Sequence, residues 1–542
     1  MATERIGIDF GTSTVLVASR SGGVGPVRIL PIGRTTAWMP SLVGLDASGV
    51  VVGEDAEGLP ESAVLRSVKT ALYAGASTVP LSDPNGSTVH VGVHDAITAI
   101  FRSVIERSRA AGLSLEDHPI RLSCPANWTA KPRKAIVDLA RAAGLDASVN
   151  RMLDEPISAG VAWVMGRYFR GDEIPDGKVV VFDYGGGTLD VAVLEVKPAS
   201  PPEITVLAAA AKHEAGDRLD EIIAGELLEE HRHHAAGDHP ELGEREVERL
   251  FRLAARRLKE ELSVVPEAAT SVAFGAGEPV TLAYGRPQLE LAFGPMLERA
   301  MRVVWSTLRA TELRRRNSAS PDVIRGMETD ILAKDVSYVL LAGGMSRVPL
   351  VKTDMERAFP NAVVAHDHSV AAPEESVVAG LVHDEAVSEL NLDRPAFDIR
   401  VRLVDRRSGA ELADQMVFPA FTPLYQSAQV VRGESSLGHG TTVKNPFPRT
   451  ISAQLSCFGI DGAKLPLYVD GAEVASLDVD LDPHRSIPFK LYVDGRVAFG
   501  PRVLRVDRWP VIRGGSGGAI AFVSPPSTYT DHRQPGWWGE RD

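Results

Sequence analysis

The 542-residue chain carries 58 Lys and Arg against 71 Asp and Glu, a formal net charge of -13, with 44% hydrophobic and 24% charged residues. That length exceeds a single hydrophobic core and implies three or four compact bodies at roughly 150 residues each, while an acidic balance with no basic stripe excludes a general nucleic-acid binder. Cys124 and Cys457 are the only cysteines, too few for a disulfide framework, so a reduced, cytoplasmic setting is expected.

No apolar run approaches the length of a membrane span, and residues 1–5 run almost directly into a first strand, so neither a span nor a signal peptide is expected. From residue 396 onward there are about 17 Lys and Arg against 16 Asp and Glu. The acidity therefore belongs to the N-terminal part of the chain.

The first element is residues 6–18, IGIDFGTSTVLVA. Ile6, Ile8 and Phe10 alternate with Gly7 and Asp9 as a strand, Gly11-Thr12-Ser13-Thr14 form a turn, and Val15 to Ala18 return. Short strands and turns follow through residues 27–53. SVKTALYAG, residues 67–75, places Lys69 on a small outlying lobe; a lone lysine is ordinarily a solvated surface charge. Residues 94–112 read as a helix, with Ala96, Ile97, Ile100, Phe101, Val104 and Ile105 at helical spacing and Gly112 as the stop. Ile120, Leu122 and Cys124 then alternate as a strand ended by Pro125, and Lys131 to Ala143 form a helix closed by Gly144. DEPISAG, residues 154–160, opens another helix with Glu155 beside Pro156. A carboxylate there is favoured by the helix dipole, and it is also placed to aim at a cleft.

Residues 179–196, VVVFDYGGGTLDVAVLEV, repeat the layout of the first element. Val179 to Phe182 are a buried strand, Asp183 ends it, Gly185-Gly186-Gly187 turn, Thr188 adds a hydroxyl and Asp190 a second carboxylate. Successive amides in such a turn make an anion-binding nest. A single glycine turn is a weak signal, but two strand-Asp-Gly-hydroxyl hairpins suggest two pseudo-equivalent lobes closing on one polyphosphate. Asp9 and Asp183 would each hold a water of a shared magnesium ion, which keeps several waters when it bridges phosphates.

A strand at 204–211 and a glycine-started helix follow. His231, His233, His234 and His239 suggest a metal cluster at first sight, yet their charged neighbours, Gly237 and Pro240 favour an exposed helix end. Helices are expected over 244–263 and about 287–314, and RRRNSASPD, residues 314–322, reads as an exposed insertion. VLLAGGMSRVP, residues 339–349, is a third strand-to-glycine element, with Gly343 and Gly344 letting the backbone approach a flat ligand and Arg347 just beyond. After a helical stretch at 374–390, short alternating segments from Phe397 onward indicate an antiparallel β-sandwich. GGSGG, residues 514–518, reads as a hairpin loop and not a phosphate loop. The tail from Pro525, with Trp537 and Trp538, is expected to be loose.

The three glycine elements, in this order, resemble the actin-like ATPase superfamily and, more narrowly, the nucleotide-binding domain of the seventy-kilodalton heat-shock chaperones of DnaK type. The resemblance covers about residues 4–385. It includes LSCPANW followed by a helix and DEPISAG, which look like that family's VPAYF and NEPTAAA segments, and SVKTALYAG in the place of its catalytic-lysine segment. The implied fold is α/β, a two-lobed actin-like (ribonuclease H-like) domain over residues 1–385, then a linker at 386–396, an all-β sandwich-like domain at 397–524 and a tail at 525–542.

Position by position, the resemblance implies that Asp9 and Asp183 organise the magnesium waters. Gly11, Thr12, Ser13, Gly185, Gly186, Gly187 and Thr188 would hold the β- and γ-phosphates, Lys69 would position the attacking water, and Glu155 would assist. Gly216 matches a glycine near ribose and phosphates, and Lys259, Ser263, Gly343, Gly344 and Arg347 match the adenosine pocket. The implied activity is slow ATP hydrolysis with ATP/ADP and magnesium as ligands. Glu260 stands where many members have an arginine stacking on adenine, Arg256 replaces a glutamate near the ribose, Met345 replaces a serine and Ala215 a glycine. SELNLDRP, residues 388–395, is a weak echo of the family linker, and neither the peptide-binding segments nor a helical lid is matched downstream. Two functions are therefore carried forward. One is an ATP-dependent chaperone acting on protein clients, with co-chaperones as possible partners, and the other is a nucleotide-gated module whose β-domain binds one folded protein without refolding it. A sugar or acetate kinase is a distant third, since it would make DEPISAG and SVK coincidences.

Overall fold

A computed structural model of the chain describes residues 4–22, 25–234, 243–274, 279–315, 327–367, 370, 372–383, 397–420, 422, 438–459, 462–469, 472–492, 496–512 and 520–523. The expected linker, the tail, the GGSGG loop, AQVVRG at 428–433, His239 and most of the RRRNSASPD insertion lie outside the described residues.

Two sheets of the N-terminal part are built on one plan. In the first, Glu4–Phe10 pairs antiparallel with Thr14–Ser21, which pairs with Arg28–Ile29, while its other edge runs parallel to Pro119–Cys124 and on to Asp146–Ala147. In the second, Gly177–Tyr184 pairs antiparallel with Leu189–Lys197, which pairs with Glu203–Lys212, and its other edge runs parallel to Val336–Ala342 and then Val363–His366. Each sheet thus has an antiparallel meander on one side and parallel crossover strands on the other. The duplication read from the two hairpins is a duplication of whole lobes.

The strands form where β-branched and aromatic residues concentrate, and their burial on both faces explains the nearly continuous apolar runs. Val179, Val180, Val181 and Phe182 are all fully buried, odd positions against one apolar cluster and even positions against another. Helices Glu155–Arg170 and Ser376–Leu381 cross between the sheets. Their approach depends on Gly380, where a Cβ would fall 1.8 Å from the Ser158 carbonyl oxygen, and on Gly7, where one would meet the Leu381 Cβ at 2.5 Å. The helix expected over 374–390 is, within the described residues, a 3₁₀ turn Pro373–Glu375 followed by Ser376–Leu381; residues 384–390 lie outside the described residues.

Each lobe carries an outlying part. That of the first holds the three-stranded sheet Val43–Asp46, Gly49–Val52 and Val64–Leu65, the short helix Val68–Tyr73, and the hairpin Thr78–Ser82 with Thr88–Gly92. That of the second holds helices Gly216–His234 and Glu244–Leu262 and the hairpin Glu267–Val272 with Val280–Gly285, while the long helix Arg286–Arg315 packs on the strands Leu189–Lys197 and Glu203–Lys212 of the main sheet. His231 corrects the exposed-helix-end expectation. It is buried, stacked on Phe274 at 5.3 Å and 5.4 Å from the Phe251 ring; neighbours in sequence are charged, but the aromatic partners arrive from other elements. His233 is exposed as expected.

The C-terminal β-region is two antiparallel sheets. Phe397–Asp405 lies between Glu411–Phe418 and Ile451–Gly459, and Ser486–Tyr492 lies between Gly438–Lys444 and Arg496–Phe499. Alternate residues Ile399, Val401, Leu403, Ala453, Leu455 and Cys457 of one sheet share a core with Phe489, Leu491, Val497 and Phe499 of the other, the arrangement of a sandwich. No helix among the described residues is long and apolar enough to cross a membrane.

Candidate functional site

The two glycine turns face each other. A Cβ on Gly186 would lie 2.7 Å from the Ser13 hydroxyl oxygen, and one on Gly187 would lie 3.0 Å from the Thr12 methyl carbon, so only glycine lets the turns approach this closely. Both turns are held open in the same way: Gly11 N–H donates to the Thr14 carbonyl at 2.9 Å and Gly185 N–H to the Thr188 carbonyl at 3.0 Å. Ser41 braces the first, its hydroxyl donating to the Gly11 carbonyl at 2.9 Å and its N–H to the Ser13 carbonyl at 2.9 Å. A third segment braces the second, since Gly216 N–H donates to the Gly185 carbonyl at 3.2 Å and Asp217 N–H to the Gly186 carbonyl at 2.7 Å.

The carboxylates gather behind the turns. Asp9, Asp183 and Asp190 are buried, and burial followed by the negative charge of Glu155 pushes all three upward, Asp9 to about 6 and Asp190 to about 7. Asp9 and Asp190 add to the push on Asp183, which places both predicted magnesium carboxylates in one electrostatic site. Local donors moderate the effect. Ser123 donates to Asp9 at 2.5 Å, Ala126 N–H donates to Asp190 at 2.9 Å, and Thr188 hydrogen-bonds Asp190.

One cation answers these charges from within. Lys69, 4% exposed, donates to Glu155 at 2.5 Å. Burial pulls the ammonium down, but the Glu155 and Asp9 carboxylates outweigh it and hold Lys69 above its usual value. Lys69 comes from the outlying lobe and Glu155 from the first residue of its helix. Four buried or half-buried carboxyls against one lysine leave an acidic excess of hard oxygen donors, the chemistry that suits a magnesium ion. Among the described residues no three His, Cys, Asp or Glu side chains converge as direct ligands; an ion held by two aspartates would keep most of its waters.

The remaining glycines close one flank. Gly343 adopts φ 74°, and a Cβ there would fall 2.5 Å from the Asp183 carboxylate. A Cβ on Gly216 would lie 3.1 Å from the Lys259 ammonium, 3.3 Å from Gly186 Cα and 3.3 Å from Met345 Cγ. Gly216, Gly343, Lys259 and Met345 therefore border the second glycine turn. Lys259 is ion-paired to Asp220 at 2.6 Å and donates to the Gly216 carbonyl at 3.2 Å. Arg347 pairs with Glu374 at 3.0 Å, and Glu374 also borders Gly344. Ser263 donates to the Lys259 carbonyl at 3.1 Å, so its hydroxyl is turned back on its own helix. Arg256 and Glu260 pair with each other at 3.1 Å.

Several neighbours lay beyond sequence reading. Ser123, Ala126 and Asp154 are supplied by the strand and loop around LSCPANW and by DEPISAG. The buried pair of Arg133 with Asp154 at 2.5 Å, with Arg133 also donating to the Trp128 carbonyl at 2.8 Å, ties the two segments together. Asp190 had a signal, its position seven residues after Asp183 on the return strand.

The profile of the family described as "Hsp70 protein" matches residues 115–403, more than half of the chain. The chain is 27% identical over 393 residues to the "Chaperone protein DnaK" of Thermotoga neapolitana and to that of Thermotoga petrophila, covering 69% of this chain and 59% of each relative. It is 26% identical over 372 residues to the "Chaperone protein HscA homolog" of Colwellia psychrerythraea, covering 65% of this chain and 54% of the relative. The matched part thus spans less than two thirds of these relatives' length.

Proposed function

The chain belongs to the Hsp70 family, and from that premise we propose that it binds ATP with magnesium, hydrolyses it, and uses nucleotide state to set what its C-terminal β-region holds. The observation that carries this is the approach of Thr12 and Ser13 to Gly186 and Gly187, each turn following a buried aspartate.

Phosphoryl transfer asks a protein mainly for position and electrostatics. The turns Gly11–Ser13 and Gly185–Thr188 receive the β- and γ-phosphates, Gly11 and Gly185 by the turn geometry that their own N–H bonds fix and the others by N–H groups and hydroxyls. Asp9 and Asp183 would hold magnesium through its waters, and bound magnesium would supply positive charge to offset the phosphates. Lys69, kept protonated by Glu155 and Asp9, orients the attacking water and meets charge developing on the γ-phosphate, and Glu155 fixes the ammonium. Gly216, Lys259, Ser263, Gly343, Gly344 and Arg347 form the nucleoside side.

Residues 1–385 act as the nucleotide-binding domain, 386–396 as the linker, 397–524 as the binding domain and 525–542 as a tail. Coupling between them is supported by contacts of the β-region with both lobes. Ala130 N–H, at the start of a first-lobe helix, donates to the Ala420 carbonyl at 2.9 Å, while Phe397 shares an apolar cluster with Ala208 and Ala310 of the second. Asp398 accepts from Ala420 N–H at 2.7 Å and so ties the two contacts together. A change in lobe angle must strain one of them.

The test has two parts. Magnesium-dependent phosphate release from ATP, abolished in Asp183→Asn, checks the hydrolytic site. Affinity for unfolded peptides measured with ATP and with ADP checks the coupling; equal affinities would leave no coupling free energy. A single stoichiometric folded partner with no suppression of aggregation would select the interaction-module reading instead.

A further inference from the structure

Lys69 and Tyr73 lie one turn apart on the helix Val68–Tyr73, which follows Ser67 at φ 56°, a left-handed conformation uncommon outside glycine. So short a helix is placed by what it touches. The Lys69 ammonium rests 5.6 Å from the centre of the Trp128 ring, within cation–π range. Tyr73 stacks on the same Trp128, with centroids 6.4 Å apart and planes 9° from parallel. Trp128 is therefore the wall against which both side chains of this helix are set.

What holds that wall comes from the opposite lobe. His213 follows the strand Glu203–Lys212, and its Nε2 lies 2.8 Å from Asn127 Nδ2, the residue next to Trp128. Its ring also lies 4.7 Å from that of Tyr73. Burial lowers the basicity of the imidazole, which favours the neutral ring that accepts the amide N–H. His213 is firmly based, because its neighbour Glu214 is clamped by Arg299 Nη2 at 2.6 Å and Gly216 N–H bonds the phosphate turn. Asp190 holds Ala126, the residue before Asn127 in the same loop. The loop 126–128 is thus gripped from the second lobe at two points, and opening the cleft must break both.

We propose that His213 is a positioning residue that acts on Lys69 through Asn127, Trp128 and Tyr73, so that closure of the lobes and alignment of the lysine are one event. The inference rests on the hydrolytic role of Lys69 given above. His213 touches neither phosphate nor the attacking water. It fixes where the ammonium stands once the lobes are closed.

The experiment is steady-state hydrolysis of magnesium-ATP by the full chain. His213→Ala and Asn127→Ala are each expected to lower kcat about five- to tenfold, the order of one hydrogen bond's net contribution, with KM unchanged and melting temperature retained. The double variant should be about as slow as either single one, since the two side chains form one contact. His213→Gln, which can still bond Asn127, should recover part of the loss. In a Lys69→Ala background, His213→Ala should have no further effect. Wild-type kcat in His213→Ala, a rise in KM alone, additive losses, or a further loss in the Lys69→Ala background would each overturn the inference. A wild-type chain that fails to hydrolyse ATP overturns the hydrolytic reading itself, a result distinguishable from these.

Discussion

Asp183 stands directly opposite Asp190 in the antiparallel ladder of the central hairpin, both buried and each pushed upward by its surroundings. Facing like charges destabilise a strand pair. The hairpin keeps them because its other residues, Val179 to Phe182 against Val191 to Leu194, are fully buried and apolar. The site is therefore strained electrostatically in a way that a bound cation relieves.

That strain gives a pH dependence. A carboxyl whose folded value exceeds its unfolded one binds more protons folded than unfolded between the two. Its contribution to stability is present in acid and lost as pH rises. For Asp9, raised from 3.8 to about 6, and Asp190, raised from 3.8 to about 7, the loss occurs between pH 4 and pH 7. Asp190→Asn, which mimics the neutral acid and can still accept from Ala126 N–H, should raise the melting temperature at pH 7.5 without nucleotide by roughly 2–4 °C. The gain should vanish near pH 4. Calorimetry showing a lower melting temperature at pH 7.5 would contradict it.

Gly380 supports a second prediction. A side chain there would collide with the Ser158 carbonyl, forcing apart the two helices between the lobes. Gly380→Ala should destabilise by about 1–3 kcal/mol or more. Gly225, inside the helix Gly216–His234 with nothing within 4 Å of an added Cβ, is the control: Gly225→Ala should stabilise by about 0.5–1 kcal/mol. Denaturant melts of the two variants should move in opposite directions.

Much of this architecture was legible because it is local. The hairpins at 6–18 and 179–196 announce themselves by an alternating strand and a continuous apolar run, each carrying an aspartate just before its glycine turn, and helices such as Val93–Ala110 by period and Gly112. What stayed hidden is long-range. Nothing near His231 in sequence reveals Phe274, and nothing near Ala126 reveals Asp190, because those partners are brought by separate elements. The facing of Ser13 and Gly186 followed from the resemblance of the two motifs, but the Ser41 and Gly216 braces did not. Ser263 shows the opposite limit: its place matches a motif, yet its hydroxyl is bonded within its own helix.

The sandwich carries its own test. Asn445, buried, donates from Nδ2 to the carbonyls of Arg449 at 2.9 Å, Leu481 at 3.0 Å and Asp482 at 2.9 Å, while its Oδ1 accepts from Phe447 N–H at 2.9 Å. One amide thus pins the turn at 445–449 to the end of the strand Leu477–Leu481. Removing it leaves buried backbone groups without partners, each costing about 1–3 kcal/mol. Asn445→Ala should unfold the β-region at lower temperature while nucleotide binding persists. Loss of both together would show that the β-region and the lobes melt as one unit.

Lys69 allows the sharpest separation of binding from chemistry. Its ammonium is spent on Glu155 and Asp9, not on the glycine turns, so nucleotide affinity should survive its removal. Turnover should not, because the attacking water loses its orienting charge, and an effect on the order of 10²-fold or more is expected. Lys69→Ala should therefore bind magnesium-ATP with near wild-type affinity by calorimetry and release phosphate at least about a hundredfold more slowly in a single-turnover assay. A wild-type hydrolysis rate in this variant would remove Lys69 from the reaction and leave the acidic cluster as a binding site alone.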